Sequence, residues 1–218
     1  MHDTTDPPVG RGKHDKEQRQ AALRAAATAV FAEKGYDCAT TREVAERAAC
    51  AEGLIHRYFG GKRGLLLDVL RGRSDDAAAR LAAHAPASDD LAAELEALLA
   101  GWLDYAWEQR DFMRVCVARS VVDPEVGRLI GAELNHQRVV EIARKLRRHQ
   151  DAGRIAAHVD VDAVAEAISG FMFAAGFFAQ VVFQQDRAEL RLRARTFARV
   201  LARGLAAGTD AKSEGEHA

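Results

Sequence analysis

AEGLIHRYFGGK, residues Ala51 to Lys62, gathers a glycine, a histidine, an arginine and a tyrosine into barely two helical turns, with a lysine just beyond them. At 100° per residue, Ile55 and Phe59 fall on one side of such a helix. Gly53 and Arg57 then lie nearly opposite, with Leu54 and His56 on the flanks. Ile55 and Phe59 read as an interior anchor, and the outward side is a glycine and a cation. Glycine in a helix costs about 1 kcal/mol relative to alanine, which is wasteful unless another backbone must come close. Arg57 can pair with a guanine edge or a phosphate, and Tyr58, His56 and Lys62 can donate to phosphates. The plain alternative is that Arg57 and Lys62 are solvated surface charges.

Just upstream, ATTREVAERA places Thr40 three residues before Glu43, the spacing of a capping box, ahead of a short apolar face of Val44, Ala45 and Ala48. A break at 49–51 separates this two-turn helix from the next. Two short helices joined this way have the geometry of a helix-turn-helix, whose second member enters the DNA major groove. A longer first helix is expected from about Asp15 to Lys34, with Asp15 and Gln18 as its capping box. Leu23, Ala26, Ala27, Val30 and Phe31 form its buried face, Gly35 ends it, and Tyr36 folds back onto it.

The composition fits this pattern over the whole chain. Its 218 residues are 48% hydrophobic and 6% aromatic, rich in alanine and leucine and with four prolines, so an all-α protein is expected. Later helices are predicted at about Asp90–Gln109, Phe112–Val122, Pro124–Gln150, Val161–Gln184 and Arg187–Ala207. Asp123 and Asp160 serve as N-caps and Gly153 as a stop. Met1–Arg73 carries 13 Lys/Arg against 10 Asp/Glu, and the remainder 18 against 22. No secretory signal is visible, and Cys38, Cys50 and Cys116 have neither metal-binding nor redox spacing, so a cytoplasmic location is expected. The longest apolar run, Ile168 to Phe183, falls short of the roughly 20 residues that span a bilayer, and no membrane partner is expected.

The stretch Leu23–Leu70 closely resembles the amino-terminal domain of the TetR (tetracycline-repressor-like) family of transcription regulators. The resemblance is carried by Ala26-Ala27, the F.EKGY pattern ending at Tyr36, Thr40-Thr41, VA..A from Val44, Gly53 and Ile55, Tyr58-Phe59, and K..LL from Lys62. It implies a dimeric repressor whose first three helices bind an inverted-repeat operator and whose larger domain releases DNA on binding a small molecule. By position, Glu52, Leu54 and Arg57 match places that face bases, with Gly53 between them. Thr41, Arg42, His56, Tyr58 and Lys62 match places that face phosphates. The organisation expected is an arm at 1–12, too poor in large apolar residues to order, the DNA-binding domain at 13–61 and a connecting helix at 62–84. A ligand-binding and dimerisation domain at 85–207 and a disordered tail at 208–218 complete it.

Three departures stand out. Where the family turn usually reads Ala-Gly-Val-Ser, this chain has Ala48-Ala49-Cys50-Ala51, so the serine that caps the recognition helix is missing. Gly61 replaces the next capping serine. His56 stands where tyrosine is common. Beside a phosphate an imidazolium is favoured over the neutral ring, so operator binding is expected to tighten as pH falls below about 7.

In the larger domain, candidate ligand-wall residues are Trp102, Tyr105, Phe112, Met113, Cys116 and His136, with Phe171, Met172 and Phe178 on the apolar helix. The same residues suit an ordinary bundle core. No dense charged cluster lies among them, which points to an apolar effector. The last two helices, apolar all round and including Gly176, are the expected homodimer contact.

Two other readings compete. Glu133 and His136 have the spacing of a di-iron bundle ligand pair, but the second copy, Glu214 to His217, sits at the chain end. Cys50 in the helix-turn-helix could serve a thiol sensor. There is no HExxH, phosphate-binding glycine loop or nucleophile elbow, and neither a metal nor a cofactor nor enzymatic activity is expected.

Overall fold

The structure, a computed structural model, describes residues 11–72 and 87–206. The expected terminal arm up to residue 10, the whole of the expected tail at 208–218, and the end of the connecting helix with Pro86 lie outside the described residues. The described secondary structure is helical apart from one isolated bridge between Ile155 and Ala206, as the composition implies. The helices are α1 (Arg11–Lys34), α2 (Thr41–Arg47), α3 (Gly53–Phe59), α4 (described over 62–72), α5 (Leu91–Glu108) and α6 (Arg110–Val122). They are followed by α7 (Pro124–Arg128), α8 (His136–Asp151), α9 (Val161–Phe173) and α10 (Arg187–Leu205).

Two compact units are present. The first comprises 1–73 together with Arg114–Leu129, and the second Ser74–Met113 together with Ile130–Ala218. In the first unit, Leu23, Ala26, Ala27, Val30 and Phe31 of α1 are buried, as are Val44, Ala45, Ile55 and Leu65, Leu66, Val69 and Leu70 of α4. Gly35 ends α1 at φ +76°, where a glycine adopts the left-handed backbone without strain, and Tyr36 turns its ring edge-on to Phe31 at 5.4 Å. The helix starts earlier than expected. Arg11–Lys34 is a single helix, so Asp15 lies inside it and does not cap it. A strong helix-forming stretch simply continues through a residue that could have capped.

Asp123 does cap α7, accepting from the amides of Glu125 and Val126, and it also receives the fork of Arg63 at 3.0 Å through both Nε and Nη2. Arg119 adds a longer contact to Asp123, reaches Asp37 at 3.2 Å and lies over the ring of Tyr36. Hydrogen bonds from Arg63 hold the Asp123 carboxyl well below its usual range.

The core of the second unit joins Leu95, Leu98, Leu99, Trp102 and Leu103 of α5, Ile142 and Leu146 of α8, Ile168 and Met172 of α9, and Leu190, Ala194 and Ala198 of α10. Asp90 and Asp160 cap α5 and α9, and Gly153 ends the α8 turn at φ +71°. Two helices expected to be uniform are not. Between α7 and α8 the residues Leu129–Asn135 are π-helical, and α9 continues as a π-helical stretch over Ala174–Val182. At its end the Phe183 amide bonds the Phe178 carbonyl, five residues back, at 2.8 Å. The helical stretch Val161–Val182 is therefore 22 residues, long and apolar enough to cross a membrane by those two measures, whereas the apolar run alone suggested otherwise. Its packing is that of a core helix. Gln180 is buried and donates to the Leu103 carbonyl, and Gly176 is pressed against Trp102 and Ala106 of α5.

Candidate nucleic-acid interface

The first unit holds α2 against α1 through charges at both ends of the short helix. Thr40 and Glu43 form the reciprocal capping box, and Lys34 reaches Glu43 at 2.5 Å. The Lys34 bond, then the Thr40 amide and hydroxyl, push the Glu43 carboxyl down to about 2. Glu43 is therefore ionised throughout the neutral range. At the other end Arg47 pairs with Glu33 at 2.6 Å.

The turn that follows is strained at one residue. Ala49 sits at φ +51°, in the left-handed region that a side chain disfavours, and the Cys50 amide closes the turn onto the Ala45 carbonyl at 3.0 Å. Glu52 precedes α3 with helical dihedrals and makes no side-chain cap. The Ala51 carbonyl accepts from the Leu54 amide at 3.0 Å, so the residue in capping position has no side-chain oxygen to offer. Gly60 ends the helix at φ +74°, its amide bonded to the His56 carbonyl.

One face of α3 is anchored and the other is free. Ile55 is 0% exposed. Phe59, expected beside it, is only half-buried, because it lies in the last turn with the Arg24 guanidinium over its ring. Glu52, Gly53, His56 and Arg57 are exposed, and a Cβ added at Gly53 would meet nothing within 4 Å. Thr41 donates from its hydroxyl to the Glu52 carboxylate at 2.5 Å, bringing the start of α2 to the head of α3. Arg42 is exposed and pairs with Glu46. Leu54 and Tyr58 are half-buried, with Lys16 5.8 Å above the Tyr58 ring. Lys62 is turned inward. Its ammonium donates to the carbonyls of Ala39 at 2.6 Å and Asp37 at 3.2 Å and lies over the ring of Tyr36.

The ligand-wall candidates are less concentrated. Trp102 and Tyr105 adjoin with ring centroids 5.6 Å apart, and Trp102 donates to the Met172 carbonyl at 2.6 Å. Phe171 stacks on Phe197 at 4.1 Å. Phe112 is buried and Met113 half-buried, Cys116 is buried in the first unit, and His136 and Phe178 are exposed. Sequence reasoning passed over three residues here. Arg138 donates from Nε to Ser169 Oγ and from Nη2 to Asn135 Oδ1, both at 2.7 Å, with its guanidinium 4.5 Å from the Trp102 ring centroid. No local motif marks such a group. Among the described residues, no cluster of three or more His, Cys, Asp or Glu could hold a metal ion.

The sequence profile "Bacterial regulatory proteins, tetR family" matches residues 23–69, which span the second half of α1, the helix-turn-helix and the start of α4. The transcriptional regulator BetI of Cronobacter sakazakii is 33% identical over 150 residues, 64% of this chain and 72% of that protein. The chain belongs to the TetR family. Members of this family are DNA-binding transcriptional regulators, typically repressors. The transcriptional repressor KstR2 of Rhodococcus jostii is 30% identical over 93 residues; that match spans 43% of this chain and just under half, 46%, of KstR2. A TetR-family regulator from Rhodococcus sp. superposes with a TM-score of 0.72 at 20% identity, over 85% of this chain and 99% of that one, and so shares its fold.

Proposed function

We propose that this TetR-family protein is a repressor that binds a palindromic operator as a homodimer and leaves it when a small effector occupies the second unit. The observation that carries the reading is the outward face of α3, open at Gly53 and lined by exposed Glu52, His56 and Arg57. A two-turn helix with a bare backbone on its outer side can lie deep in a major groove. In this reading Arg57 pairs with guanine and Glu52 accepts from cytosine, with Leu54 beside them. Thr41, Arg42, His56 and Tyr58 meet phosphates. Lys62 has one donor left to join them, because two of its three are already engaged with carbonyls.

Dimerisation through the last two helices is supported by what they leave uncovered. Phe183 and Val182 after α9, and Leu192 and Val200 two turns apart on α10, are exposed large apolar residues. Covering such a surface with a second copy removes it from water and gives the two-fold symmetry that an inverted repeat requires. The effector has an apolar body, matched to Trp102 and Tyr105. A cytoplasmic location accords with a protein whose partner is DNA.

Selection of bound fragments from random DNA tests the whole reading. An enriched inverted repeat, with affinity that falls steeply as salt rises, is expected. Arg57→Ala is expected to cost about 1–3 kcal/mol and relax preference at one position of each half-site. No enrichment, or affinity indifferent to salt, overturns the proposal.

A further inference from the structure

Among the described residues of the second unit, the charges of Glu94 and Arg187 are matched. Buried Glu94 takes His149 Nε2 at 2.8 Å and Lys145 at 3.4 Å, with Arg148 also on its carboxylate. Half-buried Arg187 shares Asp104 with Arg191. Arg138 departs from this pattern. The three groups that hold it, Ser169, Asn135 and the face of Trp102, are all neutral, and among the described residues no carboxylate pairs with it. Desolvation pushes its guanidinium down to about 10, with Tyr105 acting weakly in the opposite direction. Arg138 is half-buried, and a partly desolvated cation with no counter-charge among the described residues is an unfinished ion pair.

The group is also well aimed. Ser169 is 1% exposed and donates onward to Asn135 Oδ1 at 2.8 Å, so the three side chains close a triangle that fixes the guanidinium plane on the indole. Two of the five guanidinium N–H donors are spent there and three remain. Asn135 ends the π-helical stretch that precedes α8, and Arg138 follows within the first turn of that helix. Among the described residues no second cation acts on the site, so one unit of negative charge balances it and a phosphate dianion would be left uncompensated.

We propose that Arg138 anchors the carboxylate of a monoanionic small-molecule effector whose apolar body lies against Tyr105 and the edge of Trp102. The planar fork suits a carboxylate through two parallel N–H bonds. This deepens the effector reading given above and rests on it.

The test uses the full-length protein without DNA. Benzoate, phenylacetate and octanoate are each titrated beside the matching primary amide, with inorganic phosphate as a further arm, following tryptophan fluorescence and melting temperature. At least one carboxylate is expected to act at about tenfold lower concentration than its amide. Arg138→Gln should erase that preference. Arg138→Lys, which keeps the charge and loses the fork, should keep it with weaker affinity, and it decides the matter if the Gln variant does not fold. Equal action of acid and amide in every pair, stronger binding of phosphate, or a preference unchanged in Arg138→Gln overturns the proposal. Operator release is then measured separately. A carboxylate that binds through Arg138 but leaves DNA occupancy unchanged overturns the effector role while the anion site stands. Release by uncharged compounds alone overturns the anion site and leaves the ligand-responsive repressor intact.

Discussion

Gly53 in α3 and Gly176 in the π-helical extension of α9 are the same residue in opposite surroundings. A Cβ at position 53 would meet nothing within 4 Å, whereas one at position 176 would lie 2.5 Å from the Trp102 indole nitrogen and 3.0 Å from the Ala106 Cβ. Each glycine forgoes about 1 kcal/mol of helix propensity relative to alanine. In the bundle the space is filled by the chain's own indole, which uses the close approach to donate to the Met172 carbonyl. On α3 the space is left open on a face that carries exposed charge. A glycine that looks like a helix-contact residue in sequence is thus an internal seat for a tryptophan, and the expectation that Gly176 serves the dimer contact gives way to packing within one chain.

The largest effect is expected at a third glycine, which has still less room. A Cβ at Gly64 would lie 1.7 Å from the carbonyl oxygen of Phe59, at the junction of α3 and α4. Backbone cannot swing aside as a side chain can, so Gly64→Ala must displace the end of the recognition helix. It should cost about 3 kcal/mol and weaken DNA binding even in molecules that remain folded. Denaturant melting and operator titration of the same preparation check both. Stability within about 0.5 kcal/mol of the parent would mean that α4 does not approach α3 this closely.

Gly176→Ala comes next, at about 1–3 kcal/mol, because either the indole gives up its hydrogen bond or α5 and α9 move apart. Its cost should fall on stability, with operator affinity per folded molecule unchanged. A loss of affinity at equal stability would show that this seat communicates with the DNA-binding helices, and the contrast between the two glycines would then fail.

Much of the helix punctuation in both units was legible because its signals are local. Thr40 with Glu43, Asp123 and Asp160 as caps, and Gly35 and Gly153 as stops, each act on a backbone group within a few residues. Asp15 misled because a capping spacing does not end a helix that the residues before it also favour. The open side of α3 followed from the wheel, but the inward fold of Lys62 did not, since its acceptors Asp37 and Ala39 are more than 20 positions away in the chain. The π-helical stretches leave no mark on apolar periodicity over so few residues. The Arg138 triangle joins α8 to α9 across 31 positions, and nothing near Arg138 in sequence announces its partners Ser169 and Trp102. For that reason Arg138, Asn135 and Ser169 stood outside the ligand-wall candidates read from the sequence.

Gly53→Ala sharpens the comparison from the other side. The added methyl has free space, so helix propensity should raise stability by up to about 1 kcal/mol. Operator binding should weaken at the same time, because the methyl stands where a base edge or sugar would come close. A rise in both stability and affinity would show that the open space serves no partner.

The smallest effect belongs to the turn between α2 and α3. Ala49 holds φ +51° with a side chain attached, at a cost of about 1–2 kcal/mol relative to an unstrained backbone. Glycine relieves that strain but has more freedom to lose on folding, which returns about 0.4–1 kcal/mol. Ala49→Gly should therefore stabilise the protein by about 0.5–1 kcal/mol, read as a higher denaturant midpoint at unchanged slope. The substitution leaves the outward face of α3 untouched, so the operator sequence selected should be the same. If the variant is less stable, residue 49 is not left-handed in solution, and the turn that aims Gly53 and Arg57 must take another form.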